Sequence, residues 1–249
     1  GMFALALWNK EKKNLCLARD RIGEKPLYWG WAGNDLIFGS ELKALRLHPN
    51  FQSRVCTAAL SQYLRFKYVP APRTIHPNIY KLEPGTILSV DTLSPSAPPK
   101  EPIRPGENYG SLYIRRYWEL SSEIQAGSQH QIKNDSEAIT MLNNILKKAV
   151  KKQMISDVPL GAFLSGGVDS STIVSLMQNQ STTPIKTFTI GFDDPSFDES
   201  NHAFAVAKHL GTNHTKLQVT DTDARDVIPD LPNFYDEPFA DSSQIPTHL

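Results

Sequence analysis

Residues 160–174 read Leu160-Gly161-Ala162-Phe163-Leu164-Ser165-Gly166-Gly167-Val168-Asp169-Ser170-Ser171-Thr172-Ile173-Val174. An apolar run ends at Leu164, a short Ser-Gly-Gly turn follows, and a segment with a helix-like start succeeds it. A strand that hands over to a helix in this way presents the helix N-terminus, with its unpaired N–H groups and partial positive charge, to an anion. Gly166 and Gly167 let the backbone turn sharply and come close to that anion. Ser165, Ser170 and Ser171 add hydroxyl donors. Asp169 repels phosphate unless a cation such as Mg²⁺ lies between them. Together these residues point to a nucleotide pyrophosphate with metal: Ser165, Gly166, Gly167, Ser170 and Ser171 for the phosphates, Asp169 for Mg²⁺. A Walker A loop is excluded, because its lysine is missing: none occurs between Lys152 and Lys186.

Around this loop the pattern is that of a parallel α/β unit. Apolar Ile139, Leu142, Ile145, Leu146 and Ala149 recur at helical spacing behind a cap at Asp135 or Ser136. The intervening Lys147, Lys148, Lys151 and Lys152 read as a solvated face. A strand over 160–164, a helix from Ser170 to about Gln178, a strand over 185–192, a helix over 201–210 ended by Gly211 and a strand over 214–219 follow. Such β-α-β order predicts right-handed crossovers, with ligands beyond the carboxyl ends of the strands.

Upstream the period is two. Residues 3–8 and 14–18 form one hairpin, and 27–32 and 35–39 form another through Gly33-Asn34, which predicts an antiparallel sheet. Short helices are expected at 41–47 and 57–66, and strands at 86–90 and 113–120. Prolines 95, 98, 99, 102 and 105 forbid a ladder or helix over 91–108. The polar stretch 121–134 reads as a linker, which divides the chain into 1–120, 121–134 and 135–249.

The formal net charge is zero, so the bulk charge names no nucleic-acid partner. No apolar stretch approaches the roughly 20 residues of a membrane span, and the N-terminus has no signal-peptide pattern, so a cytoplasmic location is expected. Cys16 and Cys56 have no metal-site spacing. A strand-like start at Gly1 and a helix-like end at Leu249 predict a fragment of a longer protein.

The string Ser165-Gly166-Gly167-Val168-Asp169-Ser170-Ser171 resembles the PP-loop of ATP pyrophosphatases. Three blocks in order then resemble the glutamine-hydrolysing asparagine synthetases. They are Arg19-Asp20-Arg21-Ile22-Gly23-Glu24-Lys25-Pro26-Leu27-Tyr28 with the segment 39–45, Ser156-Asp157-Val158-Pro159 leading into the loop, and Phe188-Thr189-Ile190-Gly191-Phe192 with Asp198-Glu199 and 210–214. The segment 236–243 adds a fourth stretch.

The resemblance implies the C-terminal part of an αββα N-terminal-nucleophile glutaminase sandwich. It implies next a Rossmann-like parallel α/β ATP-pyrophosphatase domain, in its N-terminal part only. The activity implied is formation of asparagine and glutamate from aspartate, glutamine and ATP through a β-aspartyl-AMP intermediate. ATP and Mg²⁺ are required, and ammonia travels through a tunnel. Leu164 and Ile190 match positions that contact the adenosine part of the nucleotide. A homodimer is one state open to the full-length protein.

The family's N-terminal nucleophilic cysteine, its Ser-Gly-Glu-Gly block and a later lysine have no match here, so the isolated chain is expected to be inactive. Asp236, Glu237 and Asp241 could touch substrate or metal, or cap a helix near Ser242. Asp198 and Glu199 read as first-turn acids that complement a helix dipole. His202, His209 and His214 read as surface or packing residues, and the Arg19–Lys25 segment as structural. Two other readings compete: a related amidotransferase acting on a sugar acid, a peptide or a β-lactam precursor, and a non-catalytic nucleotide-binding scaffold.

Overall fold

The computed structural model describes residues 1–91, 95–194, 196 and 198–249, so part of the proline-rich stretch 91–108 lies outside the described residues. Among the described residues the protein is mixed α/β with three sheets. It divides into two compact units, Gly1–Gln129 with Asp230–Asp241, and His130–Pro229 with Ser242–Leu249.

The first unit is antiparallel. Its strands are β1 (Ala4–Asn9), β2 (Asn14–Arg19), β3 (Tyr28–Ala32), β4 (Asp35–Gly39), β5 (Ile79–Lys81), β6 (Thr86–Val90), β7 (Asn108–Tyr109) and β8 (Leu112–Arg116). Its helices are α1 (Leu42–Leu45), α2 (Thr57–Phe66) and α3 (Leu120–Ser128), with the short helix Leu231–Phe234 in the segment Asp230–Asp241. The two expected hairpins form but belong to different sheets, one ordered β1-β2-β6-β8-β7 and the other β4-β3-β5. Non-local partners separate them: Leu17 lies opposite Leu88 and Trp29 opposite Tyr80. Alternation then sends Leu17, Leu88, Leu112 and Ile114 from the larger sheet into one core with Trp29, Trp31 and Tyr80 from the smaller. The expected strand over 113–120 ends at Arg116, and the expected linker is helical over α3, none of whose residues is buried.

Asp20 anchors the turn after β2. It is 1% exposed and accepts hydrogen bonds from the amides of Gly23, Glu24 and Lys25 at 2.7, 3.0 and 2.9 Å. Burial works to raise its pKa, but those amides, with that of Phe3, outweigh it and hold the carboxyl below its usual value. The Arg19 guanidinium donates to the carbonyls of Lys25, Leu82 and Gly23, all inside the same unit.

The second unit is built from α4 (Asp135–Gln153), β9 (Gly161–Phe163), α5 (Val168–Gln178), β10 (Lys186–Phe192), α6 (Ser200–Leu210), β11 (Asn213–Val219) and α7 (Asp221–Val227). The sheet order is β11-β10-β9 and both pairings are parallel, as the β-α-β reading requires. The cap of α4 is Asn134, whose side chain accepts from the amides of Ser136 and Glu137; Asp135 and Ser136, expected as the cap, lie inside the first turn of the helix. The packed stripe of α4 is Leu146, Val150 and Met154, against Leu176, Met177 and Ile185 of the α5 region. Ile139, Leu142 and Ile145, assigned to the same face, are 68%, 57% and 60% exposed. Gly211 ends α6 in the left-handed conformation, as its position predicts.

Candidate functional site

Three elements place the loop of residues 165–167. Strand β9 leads into it, and the Leu164 amide extends the pairing by donating to the Phe188 carbonyl at 2.8 Å. Leu164 itself is 1% exposed and packs with Val174 and Ala203. Helix α5 begins two residues earlier than the pattern suggested, at Val168, because Gly167 already occupies the cap position. That cap provides no side-chain acceptor, so the first turn of an 11-residue helix ends on the loop without a side-chain lid over its amides.

Gly166 has φ +83°. A Cβ there would lie 2.7 Å from the Ala203 amide nitrogen and 2.8 Å from His202, so only glycine permits this approach to the first turn of α6. The serine hydroxyls hold the loop to itself. Ser165 Oγ and Ser170 Oγ are 2.9 Å apart, the Gly167 amide donates to Ser165 Oγ at 3.3 Å, and Ser170 Oγ donates to the Gly167 carbonyl at 3.2 Å. Ser171 differs from its neighbour: its Oγ is shielded from solvent and has no hydrogen-bond partner. Asp169 stands exposed in the first turn of α5.

Beside the loop, at the carboxyl ends of β9 and β10, lies a cleft of about 230 Å³. Phe163, Leu164, Phe188, Ile190 and Phe192 make it largely apolar; Ser165, Thr189 and Glu199 supply its polar groups. Leu164, Ser165 and Ile190 are thus together on one cleft, while the three phenylalanines, Thr189 and Glu199 were not foreseen as lining. The period-two alternation of β10 puts Phe188, Ile190 and Phe192 on one face and was the available signal.

Among the described residues there is no group of three or more His, Cys, Asp or Glu side chains placed to hold a metal. Mg²⁺ bound through substrate phosphates needs only one or two protein carboxylates, and Asp169 fits that mode.

Asp236 and Glu237 are engaged in the first unit. Asp236 accepts from the amides of Leu42 and Lys43 at 2.6 and 3.1 Å, at the start of α1. Glu237 accepts from the Ile75 amide at 2.6 Å and pairs with Lys81 Nζ at 2.5 Å. Asp241 is exposed, and the short helix Gln244–His248 has Ser243, not Asp241 or Ser242, at its cap position.

A family model described as a glutamine amidotransferase domain matches residues 1–97, and one described as asparagine synthase matches residues 141–249. The chain belongs to the asparagine synthetase family. Glutamine-hydrolyzing asparagine synthetase 1 of Bacillus subtilis is 32% identical over the whole chain, which covers 36% of that protein. A Methanocaldococcus jannaschii protein with a provisional glutamine-hydrolyzing asparagine synthetase name is 34% identical over the whole chain, which covers 44% of it. A Penicillium rubens protein named amidase chyE is 28% identical over 86% of the chain and 30% of its own length. The chain therefore spans less than half the length of these relatives. As in the family resemblance drawn from the three blocks, the amidotransferase match precedes the synthase match.

Proposed function

We propose that this chain is part of an ATP-dependent, glutamine-hydrolysing asparagine synthetase, and that residues 164–171 with Ile190 form its nucleotide site. The observation that carries the reading is the loop itself: an uncapped helix start, a position whose φ and contact with α6 permit only glycine, and an apolar cleft adjoining. In this reading the unit at 1–120 is the later part of an αββα glutaminase sandwich, 121–134 joins the parts, and 135–249 begins a Rossmann-like synthetase domain.

ATP lies with its base and ribose in the cleft and its phosphates over the start of α5. Ser165, Gly166, Gly167 and Ser170 cradle the pyrophosphate portion, and Leu164 and Ile190 border the adenosine; Ser171, whose amide donates to the Gly167 carbonyl and whose Oγ is shielded from solvent, supports the first turn of α5 instead. Asp169 would hold Mg²⁺ at the phosphates, and the ion would supply charge neutralisation for the leaving group. The acceptor carboxylate of aspartate attacks the α-phosphorus, the bond to the bridging oxygen breaks, and pyrophosphate leaves with the electron pair. Backbone donors of the loop stabilise the charge that develops on it. Ammonia from glutamine then displaces AMP from the acyl carbon. The isolated 249 residues make no asparagine from glutamine in this account, because the reaction draws on parts of the family length that this chain does not span. Asp236 and Glu237 hold the segment 230–241 in place rather than bind substrate.

The match to a protein named amidase favours one second reading, an amidotransferase whose acceptor is a carboxylate other than that of aspartate.

Calorimetric titration of the chain with ATP and Mg²⁺ tests the site. The Asp169→Ala variant is expected to lose the Mg²⁺-dependent part of ATP affinity, at least tenfold, and to keep its thermal midpoint, since Asp169 is exposed. Equal affinity in the variant and the parent would remove Asp169 from the site.

A further inference from the structure

The sequence treats Asp198 and Glu199 alike, as two acids at a helix start. The structure separates them. Asp198 accepts from the Ser200 amide at 3.0 Å and lies 3.6 Å from Lys216 Nζ. Its carboxyl is held below the usual range first by the Ser200 hydroxyl and amide. Glu199 occupies the cap position of α6, yet its side chain makes no cap bond, is exposed and enters no ion pair among the described residues. It lines the cleft beside the phosphate loop instead.

Two constraints fix it there. The Ala203 amide donates to the Glu199 carbonyl at 3.1 Å, which ties its backbone into the first turn of α6. The same turn touches Gly166 of the loop at a distance that excludes a Cβ. Glu199 is therefore set against the loop by backbone contacts, and its carboxylate remains available.

We propose that Glu199 accepts hydrogen bonds from the ribose hydroxyls of the bound nucleotide, so that the cleft selects ribonucleotides; the proposal rests on the nucleotide reading above. The walls of the cleft suit a base, and no lysine or arginine among the described residues lines it. An ionised carboxylate is an acceptor only, so it complements vicinal hydroxyls and repels phosphate. A site built around such a pairing discriminates strongly against an analogue that lacks the hydroxyl, because the acceptor is then left without its partner.

The test is calorimetric titration of the 249-residue chain with ATP, 2′-deoxy-ATP and 3′-deoxy-ATP in the presence of Mg²⁺. ATP is expected to bind at least tenfold more tightly than one or both deoxy analogues. Glu199→Ala should bring ATP down to the level of the disfavoured analogue, leave that analogue unchanged and leave the thermal midpoint unchanged. Equal binding of all three nucleotides by the parent chain would overturn the assignment. So would a Glu199→Ala variant that weakens all three equally, which would place the carboxylate on the phosphates or their cation. If the parent chain binds no ATP, the nucleotide reading itself fails; ATP binding without ribose discrimination sinks only the role of Glu199.

Discussion

At the residue scale, the clearest consequence of packing is one imidazole. His214 Nδ1 lies 2.9 Å from Thr187 Oγ, which is itself 2.9 Å from Thr212 Oγ, while Nε2 is shielded from solvent with no partner. Protonation would place a charge and an unmatched donor at that sealed nitrogen, and burial accordingly lowers its pKa below 6.5. The folded state then binds fewer protons than the unfolded chain between the lowered value and about 6.5. His214 stabilisation is thus complete above about pH 6.5 and is lost as pH falls through the folded value. Urea midpoints taken between pH 5 and pH 8 should show a steeper acid-side decline for the parent than for His214→Gln. Parallel pH profiles would locate the titration elsewhere. The sequence showed three histidines near one another; it could not show which nitrogen would be sealed, since Thr187 is 27 residues away.

At the element scale, the loop at 165–167 is a contact between a turn and the start of a second helix. Gly166 holds φ +83° with α6 against it. Gly166→Ala pays about 1–2 kcal/mol for the left-handed backbone, and more for displacing a backbone neighbour. Its thermal midpoint should fall, and its ATP affinity should fall by more than the tenfold set for Asp169→Ala. A variant with unchanged melting and unchanged affinity would mean that α6 gives way without cost. The glycines were legible in the heptad, but only Gly166 is demanded by the turn, since Gly167 has φ −69°. The identity of the neighbouring wall was not legible, since α6 lies more than 30 residues downstream of Gly166. Likewise the 3.6 period located α4, but only the tertiary packing chose Leu146, Val150 and Met154 as its packed stripe, with Val150 alone of the three buried.

At the scale of the whole molecule, the chain leaves its first unit after Gln129, builds a parallel sheet, and returns a short segment, Asp230–Asp241, to the first unit. Asp236 and Glu237 hold that segment in place. The Lys81–Glu237 pair has side chains only 16% and 11% exposed, so removing one partner strands a largely buried charge. Lys81→Met is expected to destabilise the first unit by about 3 kcal/mol, and Glu237→Gln by a similar amount. The double variant should cost clearly less than the two single losses added together. Strict additivity in denaturant unfolding would show that the two groups do not act as a pair. A division of the chain at 120 and 135 assigned 230–241 to the later part; the contact that ties Asp236 to Leu42 spans 194 residues.

The sequence by itself determined the family, the order of the two regions, the parallel pairing after residue 160 and the glycine turn that precedes α5. These are local in origin: a heptad, a change of hydrophobic period, a glycine at a turn. Tertiary structure alone decided which sheet each hairpin joins, what Asp236 and Glu237 touch, and that Glu199 rather than Asp198 borders the cleft. Those outcomes depend on partners tens to nearly two hundred residues apart, and periodicity carries no information about which distant groups will meet.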